Sequence, residues 1–575
     1  MPNQYDRRRF LANGARGAAG LALLGGAGSL LTGCGSSASS KPKAFVSDRG
    51  GIGVGKPVYG GNLVFGVEAE ETSFDPTEGH FDSTGVMYAR TVFDPLMIVQ
   101  APTAASPATF VPYLAQSVTS NADYTLWTIT LRPNLVFHDG TTCDGQALKF
   151  CFDQFIASPL VDFTTTYIDP GGIGYSSSDP LTVTVKMIAP WCSFPAWLTG
   201  YIGGQMAYVF SPTQFSKHIG NLSALAAHPV GTGPFIFKQW VSGDHFTATR
   251  NPHYWRVDKH GNRLPYLDSV TFRPLPVVSA RWDGLKTGTL NIIHTDDPST
   301  ILDIRGDSTL QDVEDDKLPV EHDMNFMMLN TTKAPLDDVR IRQAIAHAYD
   351  QSAYLRDPDL NIDLGSIGPF SPGSQYYAPT GYPQFNVQKG AALVKQYVSE
   401  HGGTPLTVQI GTTETPESIT DTAIVQNYLK AVGITATTQA IEQANLIDDA
   451  IFGLYQIVGW RQFANVDPDM NYPFWASAAA KGGLSVNFTQ LRDPVVQKAI
   501  DAGRQTTDTE ARIDAYQTVA RQLGAQCPYI WSSQDVWSIG AAANVQNFNG
   551  PTAPNGQPAL GMLSGIVWST EIWIT

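Results

Sequence analysis

The segment from Gly459 to Asp469 carries several groups suited to ligand chemistry. The guanidinium of Arg461 could receive a carboxylate or a phosphate through two parallel hydrogen bonds, stack on an aromatic face, or simply extend over a sheet surface. Asp467 and Asp469 offer carboxylates, which an ammonium group needs when it leaves water for a closed site. These are residue types that a site for a small charged molecule would use.

Motifs of hydrolytic enzymes are absent from the sequence. Neither G-x-S-x-G nor H-E-x-x-H occurs, and the eleven histidines are scattered without ligand spacing. His138 lies in a Phe-His-Asp-Gly segment, where a structural hydrogen bond in a turn is expected. No Cys/His/Met cluster near Trp460 indicates a metal or haem site. We therefore predict that the protein is not an enzyme and holds no cofactor.

The first 57 residues read as an export signal and a tether. Arg7-Arg8-Arg9-Phe10-Leu11 fits the twin-arginine pattern, and the uncharged stretch 17–31 supplies a signal-peptide core too short to span a membrane. Leu31-Thr32-Gly33-Cys34 is similar to a lipobox, so Cys34 would carry diacylglycerol; the alternative is an ordinary cysteine. We expect a lipoprotein signal peptide over 1–33 and a flexible tether over 34–57.

Composition indicates an extracytoplasmic protein with an acidic surface. Removing residues 1–33 leaves 33 basic and 51 acidic residues, a net charge of −18, which argues against nucleic acid or anionic lipid as a partner. No later apolar run approaches the roughly 20 residues of a membrane span. The lipid on Cys34 would then be the only link to the cell membrane.

Four cysteines follow Cys34: Cys143, Cys151, Cys192 and Cys527. Outside the cytoplasm one or two disulfides could form among them. Sequence alone does not fix the pairing.

Periodicity indicates an α/β arrangement around the Gly459–Asp469 segment. A strand is expected over 406–410, a helix over 417–431 ended by Gly433, and further strands over 434–436 and 454–458. Earlier in the chain, Gly231 and Gly233 are expected to adopt positive φ before Pro234 and to form a bend. Phe235, Phe237 and Val241 would then share the buried face of a strand.

Four segments in order resemble one family. Pro229–Phe235 with Asn251–Trp255 is similar to the "GTGPY" and "RNPxYW" block of the family 5 (peptide/nickel-type) extracytoplasmic solute-binding proteins, the receptors of ABC importers. The segments 60–96, 127–141 and 330–344 are similar to the family's opening strand and "LDP" loop, its "FHDG" hairpin and its "NTxxPPFDDxRVRQA" helix start.

The resemblance implies a two-lobed α/β fold, the periplasmic-binding-protein-like type II or Venus-flytrap fold, with an additional inserted domain. Lobe I would comprise 58–98, 228–318 and 528–575, the inserted domain 99–227, and lobe II 319–527. The two lobes would close on a ligand held in the cleft between them.

The resemblance also implies which residues contact the ligand. In the family, the segment that here contains Trp460, Arg461 and Gln462 faces the cleft, and an acidic residue three positions after the tryptophan pairs with a peptide's α-ammonium group. Phe463 stands at that position here. Asp467 or Asp469 could substitute, or could belong to a loop without ligand contact. Glu70 and Glu71 precede the Phe74-Asp75-Pro76 loop, which skirts the cleft in relatives.

Membership would make the protein the substrate-binding lipoprotein of an ABC importer. It would act as a monomer that captures short peptides and delivers them to permease and ATPase subunits. One alternative keeps the fold but binds a non-peptide, either an oligosaccharide or an anionic metabolite contacted by Arg461. Another is a ligand sensor, and a secreted hydrolase is the distant alternative.

Overall fold

The structure is a computed structural model of the chain. It describes residues 49–575 except 72, 80–81, 104–107, 159–160, 202–203, 219–220, 317, 319 and 478–485. The predicted signal peptide, the lipidation site Cys34 and most of the predicted tether therefore lie outside the described residues. Within the described ranges, no helix has the length and apolar character needed to cross a membrane.

The last part of the predicted tether is not free of the domain. Arg49 forms a bridge with Asp312, and its guanidinium donates to the backbone carbonyl of Arg305 at 2.8 Å. The Gly51 amide donates to the side chain of Gln311 at 3.0 Å. The chain is thus attached to the folded body from residue 49 onward, because these contacts satisfy its backbone groups.

The described strands and helices alternate along most of the chain. The strands are β1 Asn62–Val67, β2 Met97–Gln100, β3 Thr109–Pro112, β4 Ala115–Ser120, β5 Leu126–Leu131, β6 Ile168–Ser176, β7 Asp179–Met187, β8 Phe235–Val241, β9 His245–Arg250, β10 Ser269–Pro274, β11 Ile292–Thr295, β12 Leu310–Glu314, β13 Met324–Leu329, β14 Leu364–Gly365, β15 Leu406–Thr413, β16 Ile434–Ile441, β17 Ile457–Gln462, β18 Tyr529–Gln534, β19 Ser538–Ala542, β20 Val545–Gln546 and β21 Trp573–Ile574. The helices are α1 Ser83–Val92, α2 Gly145–Ala157, α3 Phe194–Trp197, α4 Pro212–His218, α5 Leu222–Ala226, α6 Val278–Thr287, α7 Pro298–Gly306, α8 Val339–Ala348, α9 Gln351–Arg356, α10 Val387–Glu400, α11 Pro416–Ala431, α12 Gln443–Ile451, α13 Tyr472–Trp475, α14 Pro494–Arg504 and α15 Thr509–Gln526.

A seven-stranded mixed sheet forms the core of the first lobe, in the order β12-β19-β11-β1-β10-β9-β8. Its central strand β1 runs parallel to β10 and β11, with Phe65 opposite Phe272 and Ile292. The parallel strands bring their carboxyl ends to one edge of the sheet, and the residues that follow β1 and β11 meet there.

A six-stranded mixed sheet forms the core of the second lobe, in the order β14-β18-β13-β17-β15-β16. The strands predicted near 406, 434 and 454 are present as β15, β16 and β17, and the helix predicted over 417–431 is α11. Gly433 has a φ of +90°, which suits its predicted place after that helix.

The chain passes between the two large sheets at β12 to β13 and again at β18 to β19. Since β18 pairs with β13, the segment 529–534 lies in the six-stranded sheet, although the sequence-based division assigned 528–575 to lobe I. The four-stranded sheet β4-β5-β7-β6 lies within 99–227, the range predicted for the inserted domain. The exact domain boundaries remain a prediction.

The bend before β8 has a different cause from the expected one. Gly231 and Gly233 are not among the residues with positive φ. Instead, a Cβ on Gly233 would lie 2.5 Å from the carbonyl carbon of Val92. These glycines are therefore required by close packing of two backbone segments.

The predicted buried face of β8 is also only partly correct. Phe235 is buried, but Val241 is 37% exposed. The pairing of β8 with β9 shifts register between Phe237 and Gln239, so the residues after this bulge no longer follow the alternation of those before it.

Candidate ligand-binding cleft

A cavity of about 580 Å³ is lined by residues of both large sheets. Glu68 and Ala69 follow β1 of the first sheet, whereas Phe326 of β13 and Trp460 of β17 belong to the second. The volume lies within the roughly 300–1,000 Å³ of typical small-molecule sites. The cavity is thus placed and sized to enclose a small ligand between the lobes.

Part of the cavity lining is apolar and aromatic, and we call these side chains the apolar wall. It is formed by Ile410, Val425, Leu446, Ile447, Ile451, Trp460, Phe463, Phe474, Val486 and Phe488. The rings of Trp460 and Phe488 pack edge to face with their centroids 5.0 Å apart. This wall can remove the apolar part of a ligand from water, at roughly 25 cal/mol per Å² of buried area.

Other lining side chains, several of them on the same strand and helix as the apolar ones, carry hydroxyl groups and one carboxylate, and we call them the hydroxyl wall. Its polar side chains include Tyr349, Tyr354, Thr412, Thr413, Ser418, Asp421, Thr422 and Ser532. Thr413 donates to the Ser418 hydroxyl at 2.7 Å, and Tyr354 donates to Asp421 at 3.4 Å. Such groups can exchange hydrogen bonds with the polar backbone of a ligand.

Arg461 of β17 spans the two lobes. Its Nη1 donates to Asp296 at 2.6 Å and its Nη2 donates to Glu68 at 2.8 Å, and both acceptors follow strands of the seven-stranded sheet. Its Nε lies 3.7 Å from Asp323, which precedes β13 in its own lobe. The guanidinium also lies 4.9 Å from the ring centroid of Trp537. Every nitrogen of Arg461 therefore faces a carboxylate.

The surrounding charges stabilise the charged form of Arg461. Burial lowers the pKa of Arg461, but Glu68, Asp296 and Asp323 outweigh burial and hold the pKa well above its usual value. The same ion pairs neutralise the positive charge that a ligand carboxylate would need.

Glu68, Asp82 and Gln205 line the part of the cavity contributed by the first lobe and the 99–227 segment. Asp82 caps helix α1 by accepting a hydrogen bond from the Gly85 amide at 2.9 Å. Burial raises the pKa of Asp82 to about 6, and Glu68 raises it further, against the Gly85 amide and Arg461, which lower it. We call these three residues the acceptor corner.

Comparison with known proteins identifies the family. The model of the bacterial extracellular solute-binding proteins, family 5, matches residues 109–483. The chain belongs to family 5. The resemblance drawn from the sequence motifs is confirmed.

Three proteins similar to this chain share most of their length with it. The nickel-binding periplasmic protein of Escherichia coli is 22% identical over 79% of this chain and 86% of that protein. Di/tripeptide-binding protein 2 of Pseudomonas aeruginosa is 24% identical over 80% of this chain and 87% of that protein. The Helicobacter pylori protein DppA, solved with the peptide STSA, superposes with a TM-score of 0.77 at 19% identity, covering 90% and 98% of the two chains. The expected two-lobed α/β fold is confirmed.

Four of the residues predicted to bind ligand in this family 5 protein line the cavity: Trp460, Arg461, Gln462 and Phe463. The first three belong to β17, which lies between β13 and β15 in the middle of the second sheet, and Phe463 directly follows that strand. The Arg461 guanidinium lies 5.3 Å from the Phe463 ring centroid, at the position where the family's peptide binders are expected to carry an acid.

Asp469 does not line the cavity. It is completely buried and accepts hydrogen bonds from Arg504 at 2.7 Å, Ser193 at 2.6 Å, Trp197 at 2.9 Å and Trp191 at 3.0 Å. Burial raises the pKa of Asp469, but Arg504 and the other donors outweigh burial and leave the pKa below its usual value. The role of Asp469 in the structure is to join the second lobe to the 99–227 segment.

The other three acidic residues that the sequence predicted as ligand contacts also have their partners or surroundings outside the cavity. Asp467 is paired with Arg512 at 2.7 Å. Glu70 accepts a hydrogen bond from the Trp240 indole at 2.7 Å. Glu71 is buried, and burial raises its pKa well above its usual value, with Asp82 adding to the effect. None of these three carboxylates is among the described residues that line the cavity.

Sequence reasoning missed the acceptor corner and the hydroxyl wall. Glu68 could have been found, because it directly follows the central strand β1, and residues after parallel strands of an α/β sheet commonly meet at a binding crevice. Asp82 has the residue type and position of a helix N-cap, so the sequence pattern indicates only a cap and not that the residue lines the cavity. Gln205 follows no recognisable signal in the sequence.

Proposed function

We propose that this family 5 protein is the substrate-binding lipoprotein of an ABC importer, and that it captures a short peptide between its lobes for delivery to a membrane permease. Of the three relatives described above, one is named for di- and tripeptides and one was solved in complex with a peptide. The third is named for nickel.

The cavity is the observation that carries the proposal. It is contributed by both lobes, so a ligand that fills it adds contacts across the cleft in the closed form only. Because such a ligand makes more contacts in the closed form than in the open form, it shifts the population toward the closed form, which a permease can recognise. The apolar wall suits side chains, and the hydroxyl wall suits peptide groups.

We further propose binding without catalysis. His138, the residue that most resembles a catalytic base, is buried and forms a hydrogen bond through Nε2 with the Gly233 carbonyl at 2.9 Å. Burial lowers the pKa of His138 to about 4, so that it is neutral and structural at physiological pH. Within the described ranges, no three or more His, Cys, Asp or Glu side chains are grouped so as to hold a metal ion.

One observation favours a second candidate, a non-peptide ligand. Phe463 lines the cavity where family resemblance leads us to expect an acid for the peptide ammonium group. Within this candidate, the carboxylates around Arg461 favour a neutral or cationic compound over an anionic metabolite.

Native mass spectrometry of residues 35–575, purified gently from the native host, tests the proposal. The bound material is released and identified. A series of short peptides supports a peptide receptor. A single non-peptide species instead supports the second candidate and overturns peptide capture.

A further inference from the structure

Among the described residues that line the cavity, negatively charged side chains outnumber positively charged ones. Among the described lining residues, the charged side chains are Glu68, Asp82, Asp421 and Arg461. Arg461 is already held by Glu68 at 2.8 Å and by Asp296 at 2.6 Å. A ligand entering the cavity therefore meets carboxylates that can accept hydrogen bonds, and a guanidinium whose charge is balanced.

Gln205 gives a second, independent indication at the acceptor corner. Only 5% of the residue is exposed, and its Nε2 donates to the Gly79 carbonyl at 3.2 Å. Its Oε1 is buried without a hydrogen-bond partner, although Gln205 lines the cavity. A buried acceptor left unpaired costs about 1–3 kcal/mol, so this oxygen is suited to a donor supplied by a ligand.

The three side chains of the acceptor corner belong to one region. Asp82 and Glu68 are the two carboxylates that the first lobe contributes to the cavity lining. Gln205 is attached to Gly79, three residues before Asp82, by its own hydrogen bond. Helix α1 fixes Asp82, because Asp82 is its N-cap.

We infer that the acceptor corner, formed by Glu68, Asp82 and Gln205, holds the cationic group of the ligand, and that for a peptide this group is the α-ammonium. The inference rests on the proposed function of peptide capture. An ammonium group has three hydrogen-bond donors and no acceptor, which matches a corner made of two carboxylates and an amide oxygen. The carboxylates also offset the cost of taking the cation out of water.

The inference explains why Phe463 is tolerated. The resemblance implies that the family's peptide binders carry the acid for the ammonium group three residues after the tryptophan. In this chain, a carboxylate at that position would adjoin Arg461, whose guanidinium lies 5.3 Å from the Phe463 ring centroid. The ammonium site is then supplied from the opposite side of the cleft, by the first lobe and the 99–227 segment.

The test uses two probes: an equimolar mixture of free tripeptides and the same mixture with acetylated N-termini. Binding of each mixture to the full mature protein is compared by native mass spectrometry. We expect the free peptides to bind roughly ten- to a hundredfold more tightly, as for loss of a hydrogen-bonded charge. Asp82→Asn keeps the shape and the helix cap, because Asn is as good a cap as Asp, and should remove most of this preference.

Four further variants sharpen the test. Gln205→Met removes the unpaired acceptor at similar volume and should reduce the preference for free peptides, whereas Gln205→Glu should increase it. Asp514→Asn, whose side chain is 85% exposed and does not line the cavity, is the matched control and should leave the preference unchanged. Asp421→Asn tests the competing carboxylate of the hydroxyl wall. Thermal unfolding of each variant checks that it is folded.

The outcomes separate the inference from the proposed function. Equal binding of free and acetylated peptides overturns the inference alone. Loss of the preference in Asp421→Asn, with the preference kept in Asp82→Asn, also overturns it and assigns the ammonium to the hydroxyl wall. Binding of no peptide from either mixture overturns peptide capture, and the inference with it.

Discussion

Arg461 of β17 and Glu68 at the end of β1 form an ion pair across the cleft, with Nη2 and Oε1 2.8 Å apart. The two residues are 393 positions apart in the chain and belong to different sheets. The same guanidinium reaches Asp296, also in the first lobe, at 2.6 Å. Because it bonds groups of both lobes, Arg461 stabilises the arrangement in which the cavity is enclosed.

We expect Arg461→Met to favour an open cleft. The change removes the bridge and leaves Glu68, Asp296 and Asp323 to repel one another. The free energy of unfolding should fall by about 1.5–3 kcal/mol, the usual worth of hydrogen bonds to charged groups. Small-angle X-ray scattering with bound ligand should show a larger radius of gyration than for the unmodified protein.

The control for Arg461 is Arg356→Met, which removes an exposed pair with Asp357. An exposed ion pair contributes only about 0–1 kcal/mol, so neither stability nor shape should change much. If Arg461→Met kept the compact form and the full ligand affinity, Arg461 would be neither a bridge between the lobes nor a principal ligand contact.

Ligand affinity should depend on pH through Asp82. Burial raises the pKa of Asp82 to about 6, and the charged groups that act on it are Glu68 and Arg461, with Glu71 beside it. Affinity for a cationic ligand should therefore rise as pH increases through about 6, because the carboxylate becomes charged. Calorimetric titration between acid and neutral pH measures this, and Asp82→Asn should flatten the profile.

The stability of the ligand-free protein should follow the opposite direction. A carboxyl group whose pKa is raised by folding binds protons more tightly in the folded state. Its contribution to stability is therefore lost as pH rises from the ordinary aspartate pKa of 3.8 toward the folded-state pKa of about 6. The difference between unmodified protein and Asp82→Asn isolates this contribution from other titrating groups. Equal pH dependence of unfolding in the two proteins would contradict the assignment.

Asp469→Ala should destabilise the protein strongly. The change leaves the buried guanidinium of Arg504 and the donors Trp191, Ser193 and Trp197 without their acceptor. Breaking a buried ion pair from one side costs about 3–5 kcal/mol. Urea unfolding measures the loss, with the exposed Asp514→Ala as a control that should change stability by less than about 0.5 kcal/mol.

Asp469 is also a test of the sequence-based site. A folded Asp469→Asn variant should keep the ligand preference of the unmodified protein, because Asp469 does not line the cavity. If that variant lost ligand affinity while keeping its stability, the predicted ligand contact at Asp469 would be restored.

Gly233→Ala should destabilise the bend before β8. The added Cβ would lie 2.5 Å from the carbonyl carbon of Val92 and 2.6 Å from its oxygen, and backbone atoms cannot yield as a flexible side chain does. Overpacking of this kind costs about 1–3 kcal/mol. Gly373→Ala, which meets nothing within 4 Å, is the control for thermal unfolding. Similar melting temperatures for both variants would show that the bend tolerates a side chain.

Cys34→Ala should release the protein from the membrane. The lipobox prediction makes the thiol of Cys34 the attachment point of the lipid, and that residue lies outside the described part of the chain. Fractionation of native cells and labelling with a fatty acid measure the effect. Cys192→Ala is a control, because Cys192 is a free cysteine of the folded domain. Continued membrane association and labelling of Cys34→Ala would exclude this anchor.

The sequence by itself predicted local features of the fold, because these depend on residues that are close together in the chain. The strand β15, the helix α11 and the end of that helix at Gly433 follow from periodicity and from the conformational freedom of glycine. Ordered motifs predicted the family, and with it the cleft segment Trp460–Phe463. The predictions of β15, α11 and the helix end at Gly433 hold because their physical causes act over a few positions.

Only the tertiary structure decided which acidic residues face the cavity. Asp469 instead accepts hydrogen bonds from Arg504, 35 positions later in the chain, and from side chains of the 99–227 segment. Glu68 and Asp82, which no motif marked, face the cavity because β1 ends at the cleft and α1 begins beside it. The arrangement of the two sheets decides which residues pair when they are hundreds of positions apart. A local sequence pattern carries no information about that arrangement.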